Sequence, residues 1–312
     1  MRTNFQRCLG GRVWFSTSPV PGVRITEPSQ SSAGRRFRDI PLDHKLLRHL
    51  DALQLGRSRR RKKRGRAGQG KGTEAQPEAQ PPPRPFGSVG RRSGVAKSWS
   101  ELPASQERPV EIAFAGRSNV GKSTLLNVLV GLRNRPQVRA AVSATPGLTQ
   151  DLQFFALGHS SPLMLVDMPG YGFAFAPDDR IEDWSELMLH YLRYRGGALR
   201  RLCLLVDARH GFKAIDRQFL ELLYSKRAVG HPPEPKLPWD PPKLQLVLTK
   251  CDLVDRFDLV RRISLVKEEL DDMLPPAAGN LPLMAVGALE GRGVLQLQRE
   301  LASLVPPKTS LR

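Results

Sequence analysis

The chain reads Gly116-Arg117-Ser118-Asn119-Val120-Gly121-Lys122-Ser123 between the apolar run EIAFA, at residues 111–115, and a segment of helical character from Lys122 to Val130. These eight residues fit the pattern G-x-x-x-x-G-K-[ST], in which a glycine-rich turn joins a strand to a helix. Backbone N–H groups converge at the N-terminus of such a helix and bind phosphate there. The stretch therefore predicts a phosphate-binding loop within an α/β fold.

Individual residues of this loop have predicted tasks. Gly116 and Gly121 let the backbone approach phosphate without an intervening Cβ atom. Lys122 would supply positive charge to the β- and γ-phosphates, and the hydroxyl of Ser123 stands where a Mg²⁺ ligand is needed. The whole loop from Gly116 to Ser123 is a candidate nucleotide contact.

A second motif, Asp167-Met168-Pro169-Gly170, follows the apolar run PLMLV and begins 44 residues after Ser123. Asp167 lies where a carboxylate can hold Mg²⁺ through water. Gly170 can offer its N–H to the γ-phosphate and move when that phosphate leaves. The order and spacing of the two motifs favour a nucleotide switch over a chance match.

A loop punctuated by glycine and proline, Ala144–Gln150, lies between the two motifs. Thr149 is assigned as a further Mg²⁺ ligand, and Thr145 is the alternative. The other interpretation is that the threonine hydroxyl only caps a turn and binds no metal. Four residues are expected to take part in hydrolysis of the bound nucleotide: Lys122, Thr149, Gly170 and Asn119. The residues expected to contact nucleotide from this part of the chain are Gly147, Leu148, Thr149, Gln150 and Asp151.

Base choice is predicted from Thr249-Lys250-Cys251-Asp252. The carboxylate of Asp252 can accept hydrogen bonds from the guanine N1–H and exocyclic amine, whereas adenine presents the wrong edge. Lys250 would pack its stem over the ring. Val286-Gly287-Ala288 could present a backbone N–H to the guanine O6 atom. The predicted ligand is GTP or GDP.

The body of the chain, residues 109–305, alternates short apolar runs with helical segments, as a mostly parallel sheet flanked by helices does. We expect a six-stranded sheet in an α/β P-loop GTPase domain. The strand candidates are EIAFA, PLMLVDM, RLCLLVD, KLQLVLTK and LPLMAV. The helix candidates are Lys122 to Val130, Ile181 to Tyr194, Ala214 to Ala228, Phe257 to Met273 and Gly293 to Leu304.

The net charge of +19 is almost wholly N-terminal, because residues 1–100 contain 22 Lys and Arg against 6 Asp and Glu. Residues 1–26 hold four arginines and no acidic residue, which is typical of a mitochondrial or plastid transit peptide, although a merely basic terminus would look similar. Residues 27–108 read as a basic, Pro-rich extension, mostly disordered, in which Arg38 to Gly56 could form one amphipathic helix. Residues 306–312 form a short tail.

Two classes of protein are disfavoured by composition. No run approaches the ~18 consecutive apolar residues that a membrane-spanning helix needs. The three cysteines, Cys8, Cys203 and Cys251, are too far apart for a typical zinc site or a disulfide framework. We therefore expect a chain without a transmembrane segment and with reduced thiols.

Together these strings resemble the Era-like branch of the translation-factor-related GTPases, and specifically the EngB (YihA/YsxC) family. GRSNVGKSTLLN, TPGLTQ, VDMPGYGFA and TKCD carry the resemblance, which covers roughly residues 109–305. It implies a GTPase that uses Mg²⁺ and assists assembly of the large ribosomal subunit. With the N-terminal leader, it implies a mitochondrial protein, with a plastid as the alternative.

The resemblance also bears on catalysis. Tyr171 follows Gly170 where many GTPases place a water-orienting glutamine, which implies slow intrinsic hydrolysis. Asn119 stands where K⁺-stimulated relatives hold a K⁺ ion, which could stabilise transition-state charge, or it could only brace the phosphate loop.

Two functional hypotheses follow for this chain, which we expect to be monomeric. In the first it is a GTP-driven switch that binds ribosomal RNA or a pre-ribosomal particle, aided by the basic run Arg57 to Arg66. In the second it is a GTP-bound scaffold with little turnover, which binds RNA through its N-terminal arm. A solvated or cleaved tail is the other interpretation of the basic run.

Overall fold

The structure is a computed structural model that describes residues 37–57, 86, 90–102, 109–131, 151–158, 162–171, 187–224, 242–274 and 281–306. Seven strands in these ranges form one sheet in the order β1-β3-β4-β2-β5-β6-β7. The strands are β1 (Arg91–Ala96), β2 (Val110–Gly116), β3 (Leu152–Leu157), β4 (Leu163–Asp167), β5 (Leu199–Asp207), β6 (Lys243–Thr249) and β7 (Met284–Ala285).

The middle of the sheet is parallel. Strand β2 pairs in parallel with β4 on one side and with β5 on the other, and β6 and β7 continue the parallel order. Only β3 and β1 run antiparallel to their neighbours. Because parallel strands end at the same edge, the sheet brings together Gly116, Asp167, Asp207 and Thr249, the last residues of β2, β4, β5 and β6.

Helices cover both faces of the sheet, which explains why the central strands are almost continuously apolar. The helices are α1 (His44–Ala52), α2 (Lys122–Leu129), α3 (residues 187–194), α4 (Ala214–Tyr224), α5 (Arg256–Met273) and α6 (Val294–Ala302). One core packs under α2 and α6, and the other under α1, α3, α4 and α5.

The candidate helices and strands agree with these bounds to within a few residues wherever the structure describes them, but strand β3 (Leu152–Leu157) was not among the candidates. Two predicted helices, Ile181 to Tyr194 and Ala214 to Ala228, extend into residues that the structure does not describe. Only their described parts, 187–194 and Ala214–Tyr224, can be compared. The run LPLMAV contributes only Met284–Ala285 as strand. Within the described residues, no helix is long and apolar enough to cross a membrane.

The sheet has seven strands, so the prediction of six was wrong. The additional strand β1 lies inside the extension that we expected to be mostly disordered, and it pairs with β3 from Arg91 opposite Ala156 to Ala96 opposite Leu152. Its first three residues are exposed, and it contains Gly94. Such an edge strand needs little apolar character, which is why composition does not reveal it.

The predicted amphipathic helix is confirmed as α1, and it packs into the core although it lies in the extension that we expected to be mostly disordered. Asp43 caps the helix by accepting hydrogen bonds from the N–H groups of Lys45 and Leu46. Leu50 is only 1% exposed because it packs into the core that α5 helps to form. The extension therefore contributes structure to the α/β domain before residue 109.

A buried ion pair joins the start of β2 to the end of α3. Arg195 donates from Nε and Nη2 to the two carboxylate oxygens of Glu111, at 2.7 and 2.6 Å, and the Tyr191 hydroxyl donates to Oε2 at 2.7 Å. Removing one partner of a buried pair leaves an uncompensated charge. The pair therefore fixes α3 against the sheet.

We expect Glu111→Ala to lower the free energy of unfolding by about 3 kcal/mol or more, because Arg195 stays buried without its partner. Urea unfolding measures the change. The matched control is Glu221→Ala, on the exposed side of α4, which should change stability by less than about 0.5 kcal/mol. A loss no larger for Glu111→Ala than for the control would contradict the prediction.

Candidate functional site

The phosphate-binding loop connects the end of β2 to the start of α2. Three residues of the loop take positive φ angles, Gly116 at 159°, Asn119 at 59° and Gly121 at 104°. Gly121 stands immediately before the first turn of α2, where a residue with a Cβ would be strained. The backbone is thus bent so that the helix N-terminus opens onto the loop, as phosphate binding requires.

Three predicted residues meet at the base of this loop. The ammonium group of Lys122 lies 2.6 Å from Oδ1 of Asp167, and the Ser123 hydroxyl lies 3.5 Å from Oδ2. Lys122 and Asp167 are almost fully buried, at 7% and 0% exposed. The ion pair holds the ammonium group of Lys122 beside the place where phosphate would bind.

The residues present fit a Mg²⁺ ion. A hydroxyl and a carboxylate are the hard oxygen ligands that Mg²⁺ prefers, and Ser123 and Asp167 bring them together from α2 and β4. When bound, the ion would neutralise charge on the phosphates. Ser123 would hold it directly and Asp167 through water. The third assigned ligand, Thr149, lies outside the described residues, as does its alternative Thr145.

Gly170 lies directly against the phosphate loop. A Cβ atom built on Gly170 would come within 2.9 Å of the Ser118 hydroxyl and 3.2 Å of its Cα and N atoms. The Ser118 N–H donates to the carbonyl of Tyr171 at 3.3 Å. The end of the second motif is therefore packed on the loop that would hold the phosphates.

The side chain of Tyr171 points into the core. Its hydroxyl donates to Oδ1 of Asp216 at 2.8 Å, and its ring stacks on Phe219 with the centroids 4.7 Å apart. Arg117 pairs with the other carboxylate oxygen of Asp216 at 3.0 Å. Burial, followed by the adjacent Asp216, raises the pKa of Tyr171 well above its usual value. Tyr171 is fully buried, so it cannot orient an attacking water in this conformation.

At the other end of the site, β6 connects to the loop that would bind the base. The Thr249 hydroxyl donates to the carbonyl of Val120 at 2.7 Å. Lys250, in a left-handed conformation, donates to the carbonyl of Asn119 at 2.5 Å and pairs with Asp207 at 3.0 Å. Two of the predicted base-recognition residues are thus tied to the phosphate loop.

Asp252 and Gly287 lie side by side. A Cβ atom on Gly287 would stand 3.0 Å from Oδ1 of Asp252, so a larger residue would crowd the carboxylate that reads the base. Val286 and Gly287 use their N–H groups in backbone bonds to Leu248 and Arg292. Of the three residues predicted to face O6, Ala288 is left as the one whose N–H can turn to the base.

Comparison with known proteins agrees with this geometry. Residues 111–232 match the model of a family described as "50S ribosome-binding GTPase". The "Probable GTP-binding protein EngB" of Rhodospirillum rubrum is 40% identical over 200 residues, covering 63% of this chain and 77% of that protein. The protein of the same name from Brucella melitensis is 41% identical over 207 residues, covering 64% and 76%.

The chain belongs to the EngB family of GTP-binding proteins. Its body is therefore a P-loop GTPase domain that binds guanine nucleotide and hydrolyses GTP. A solved structure of a "probable GTP-binding protein engB" aligns with 62% of this chain and 98% of its own, at 20% identity and a TM-score of 0.44.

In this EngB protein the assigned residues divide into two groups. The described loops bring together Gly116–Ser123, Asp167–Gly170, Thr249–Asp252 and Val286–Ala288 at one edge of the sheet. Met168 is buried in the core, and Asp151 lies half-buried just before β3. The remaining assigned residues, Gly147, Leu148, Thr149 and Gln150, lie outside the described part of the chain.

Cys251, inside the EngB base-recognition motif, has a structural role. It is fully buried, its N–H donates to the carbonyl of Val286 at 3.1 Å, and burial raises the pKa of its thiol to about 12. A thiol of that pKa carries almost no thiolate at neutral pH. Cys251 therefore connects the two base-side loops and is not a nucleophile.

Sequence reasoning missed Asp207. It ends β5 as Asp167 ends β4, and it holds Lys250 and Arg209, whose Nη2 lies 2.7 Å from Oδ2. Burial would raise the pKa of Asp207, but hydrogen bonds from Arg209 and Lys250 outweigh it and lower the pKa to about 2. Its place at the end of a central strand was the signal that could have identified it.

Asp207 should contribute pH-dependent stability. Its pKa in the folded protein, about 2, lies below the ordinary 3.8, so the contribution is fully present above about pH 4 and is lost as the pH falls towards 2. We expect Asp207→Asn to cost about 1–2 kcal/mol at pH 6 and progressively less below pH 4. Urea unfolding of both proteins from pH 6 to pH 2 measures this. A cost independent of pH would contradict it.

Proposed function

We propose that this EngB GTPase is a molecular switch that assists assembly of the large subunit of the mitochondrial ribosome. The matched family's description as a 50S ribosome-binding GTPase supports the ribosomal partner. The basic, acid-free composition of residues 1–26 supports import into mitochondria. The protein acts as a monomer, and its partner is ribosomal RNA or a pre-ribosomal particle.

The observation that carries the switch proposal is the packing of Gly170 on Ser118. A side chain at residue 170 would clash with Ser118, so the main chain of Gly170 lies next to the phosphate loop, and a γ-phosphate that binds its N–H would shift residues 170 and 171. Tyr171 would pass such a shift to Asp216, at the start of α4, through the hydrogen bond from its hydroxyl group. Two discrete arrangements of this segment would report which nucleotide is bound.

The side chains of the site also have defined tasks during hydrolysis. Lys122, held by Asp167 in this structure, would move its charge to the β- and γ-phosphates. The backbone N–H groups of the loop and of Gly170 would stabilise charge that develops on the phosphoryl oxygens. Tyr171 lies turned away from solvent, which agrees with slow intrinsic turnover.

The ribosomal proposal is tested by co-sedimentation with mitochondrial ribosomal particles. The full chain, loaded with a non-hydrolysable GTP analogue or with GDP, is run on a sucrose gradient with large-subunit precursors from mitochondria. We expect the GTP form to travel with the precursor and the GDP form to remain at the top. If both forms travel with the precursor to the same extent, the switch is refuted. If neither form travels with the precursor, the proposed partner is refuted.

A GTP-bound scaffold with little turnover is the second candidate, and single-turnover hydrolysis separates the two. We propose that K⁺ assists, because Asn119 is an exposed amide at the mouth of the loop and its main chain is bent by a φ of 59°. We expect hydrolysis to be at least tenfold faster in K⁺ than in Na⁺, with the difference lost in Asn119→Ala. If the difference persists in the variant, Asn119 only braces the loop; turnover absent in both salts would favour the scaffold.

A further inference from the structure

The segment that follows α1 lies against both base-recognition loops. We call this segment, Gln54–Arg57, the N-terminal clip. The carbonyl of Gln54 accepts a hydrogen bond from Nη1 of Arg292 at 2.6 Å. Arg292 belongs to the loop that Gly287 opens, and these two residues exchange backbone hydrogen bonds of 3.0 and 3.1 Å. One end of the clip is therefore tied to the loop predicted to face O6.

The other end of the clip is tied to the loop that carries Asp252. The Arg57 N–H donates to the carbonyl of Val254 at 2.6 Å, and the Arg57 carbonyl accepts from the N–H of Arg256 at 3.3 Å. The side chain of Arg57 donates from Nε to the carbonyl of Asp252 at 3.2 Å. Arg57 thus holds the main chain of the residue that reads the guanine base.

Helix α1 fixes the clip in place. Leu50 and Leu55 are 1% and 2% exposed in the core, and the Leu55 N–H donates to the carbonyl of Leu50 at 2.9 Å. Gly56 has a φ of +86°, and a Cβ atom there would stand 2.7 Å from the Cα atom of Arg256. Only glycine allows the chain to pass so close to the start of α5.

We propose that the N-terminal clip is part of the guanine-recognition site. By bonding to both loops at once, it fixes the position of the Asp252 carboxylate relative to Ala288, across the space that the base would occupy. Arg57 is a positioning residue, because its side chain acts through the main chain of Asp252. The proposal rests on the binding of guanine nucleotides by this protein. The same experiment tests that binding directly, because the dissociation constant of the unaltered protein for GDP is also measured.

A comparison of two bases shows whether the clip positions Asp252 or only stabilises the fold. The Asp252 carboxylate accepts two hydrogen bonds from guanine, one from N1–H and one from the exocyclic amine. Inosine diphosphate keeps the first donor and lacks the second, while its ribose and phosphates are identical to those of GDP. A carboxylate that shifts loses the two-bond geometry, so GDP should suffer more than IDP.

The test uses Arg57→Ala and Gly56→Val in the full chain. Arg48→Ala, exposed on α1, and Gly197→Val, where nothing lies within 4 Å of an added Cβ, are the matched controls. Competition against a fluorescent GDP gives the dissociation constants for GDP and IDP. Loss of one hydrogen bond should weaken GDP binding about threefold to tenfold in Arg57→Ala, and at least as much in Gly56→Val.

The ratio of the IDP to the GDP dissociation constant decides the outcome. We expect it to fall by about threefold in both clip variants and to stay unchanged in both controls. Unchanged GDP and IDP affinities in Arg57→Ala would overturn the proposal. Equal weakening of GDP and IDP would also overturn it, because the clip would then support only the fold. If Gly56→Val does not fold, Arg57→Ala, which changes only an exposed side chain, still decides.

Discussion

Replacing Asp252 by asparagine is expected to abolish the preference for guanine nucleotides and to create one for xanthine nucleotides. The carboxylate accepts from the guanine N1–H and exocyclic amine, whereas the asparagine amide places a donor at one of these positions. Xanthine carries a carbonyl oxygen where guanine carries the amine, so it can accept from that donor. Each charge-assisted hydrogen bond contributes roughly 1.5–3 kcal/mol, so losing the bond to the amine and the charge that strengthens the bond to N1–H should weaken GDP binding about 100-fold.

Dissociation constants for GDP and xanthosine diphosphate measure this exchange. Asp258→Asn is the control, because it makes the same chemical change on the surface of α5, where Asp258 pairs with Arg261. It should leave both constants unchanged. A variant at Asp252 that binds both nucleotides weakly and equally would show that the residue supports the loop without reading the base.

The second large effect is expected from Lys122→Ala, which should lower single-turnover hydrolysis about 100-fold or more. The loss of charge beside the phosphates should also weaken binding of GTP. In the nucleotide-free protein the same change leaves the Asp167 carboxylate buried without its cation, since the pair is 2.6 Å long and closed to solvent. We therefore expect a loss of about 3 kcal/mol in the free energy of unfolding.

A double variant separates these two consequences. Lys122→Ala with Asp167→Asn removes the unpaired charge, so it should recover much of the unfolding free energy without restoring hydrolysis. Lys267→Ala, on the exposed face of α5, is the control for loss of a lysine. If the double variant stays as unstable as the single one, the ion pair does not stabilise the nucleotide-free site.

The sequence predicted the phosphate loop well because its chemistry is local. Gly121 and Lys122 are adjacent, and the strand and helix around them carry strong apolar patterns. The positions of Asp167, Thr249 and Asp252 followed for a related reason, since each stands at or just after the end of a central strand. Parallel strands bring such ends together, so their meeting required only the correct fold.

What the sequence did not reveal depends on contacts between distant segments. The place of Asp207 at the end of an apolar run could have marked it as a site residue, but no pattern in the sequence indicates that Lys250, after the neighbouring strand, is its partner. The helical spacing of Leu46, Leu47, Leu50 and Leu53 predicted α1. The surface that buries Leu50, however, belongs to a helix about 200 residues away. Gly56 fits only because α5 passes beside it, which local sequence cannot show.

The two edges of the sheet bear on how this protein avoids aggregation. Strand β1 exposes Arg91 and Arg92 and breaks its register between Arg92 and Gly94, while β7 is only two residues long. An unpaired strand recruits another chain when it is long, flat and uncharged. Neither edge of the described sheet has those properties, so a copy of this protein should find no strand to extend there, even where chains are crowded together during folding.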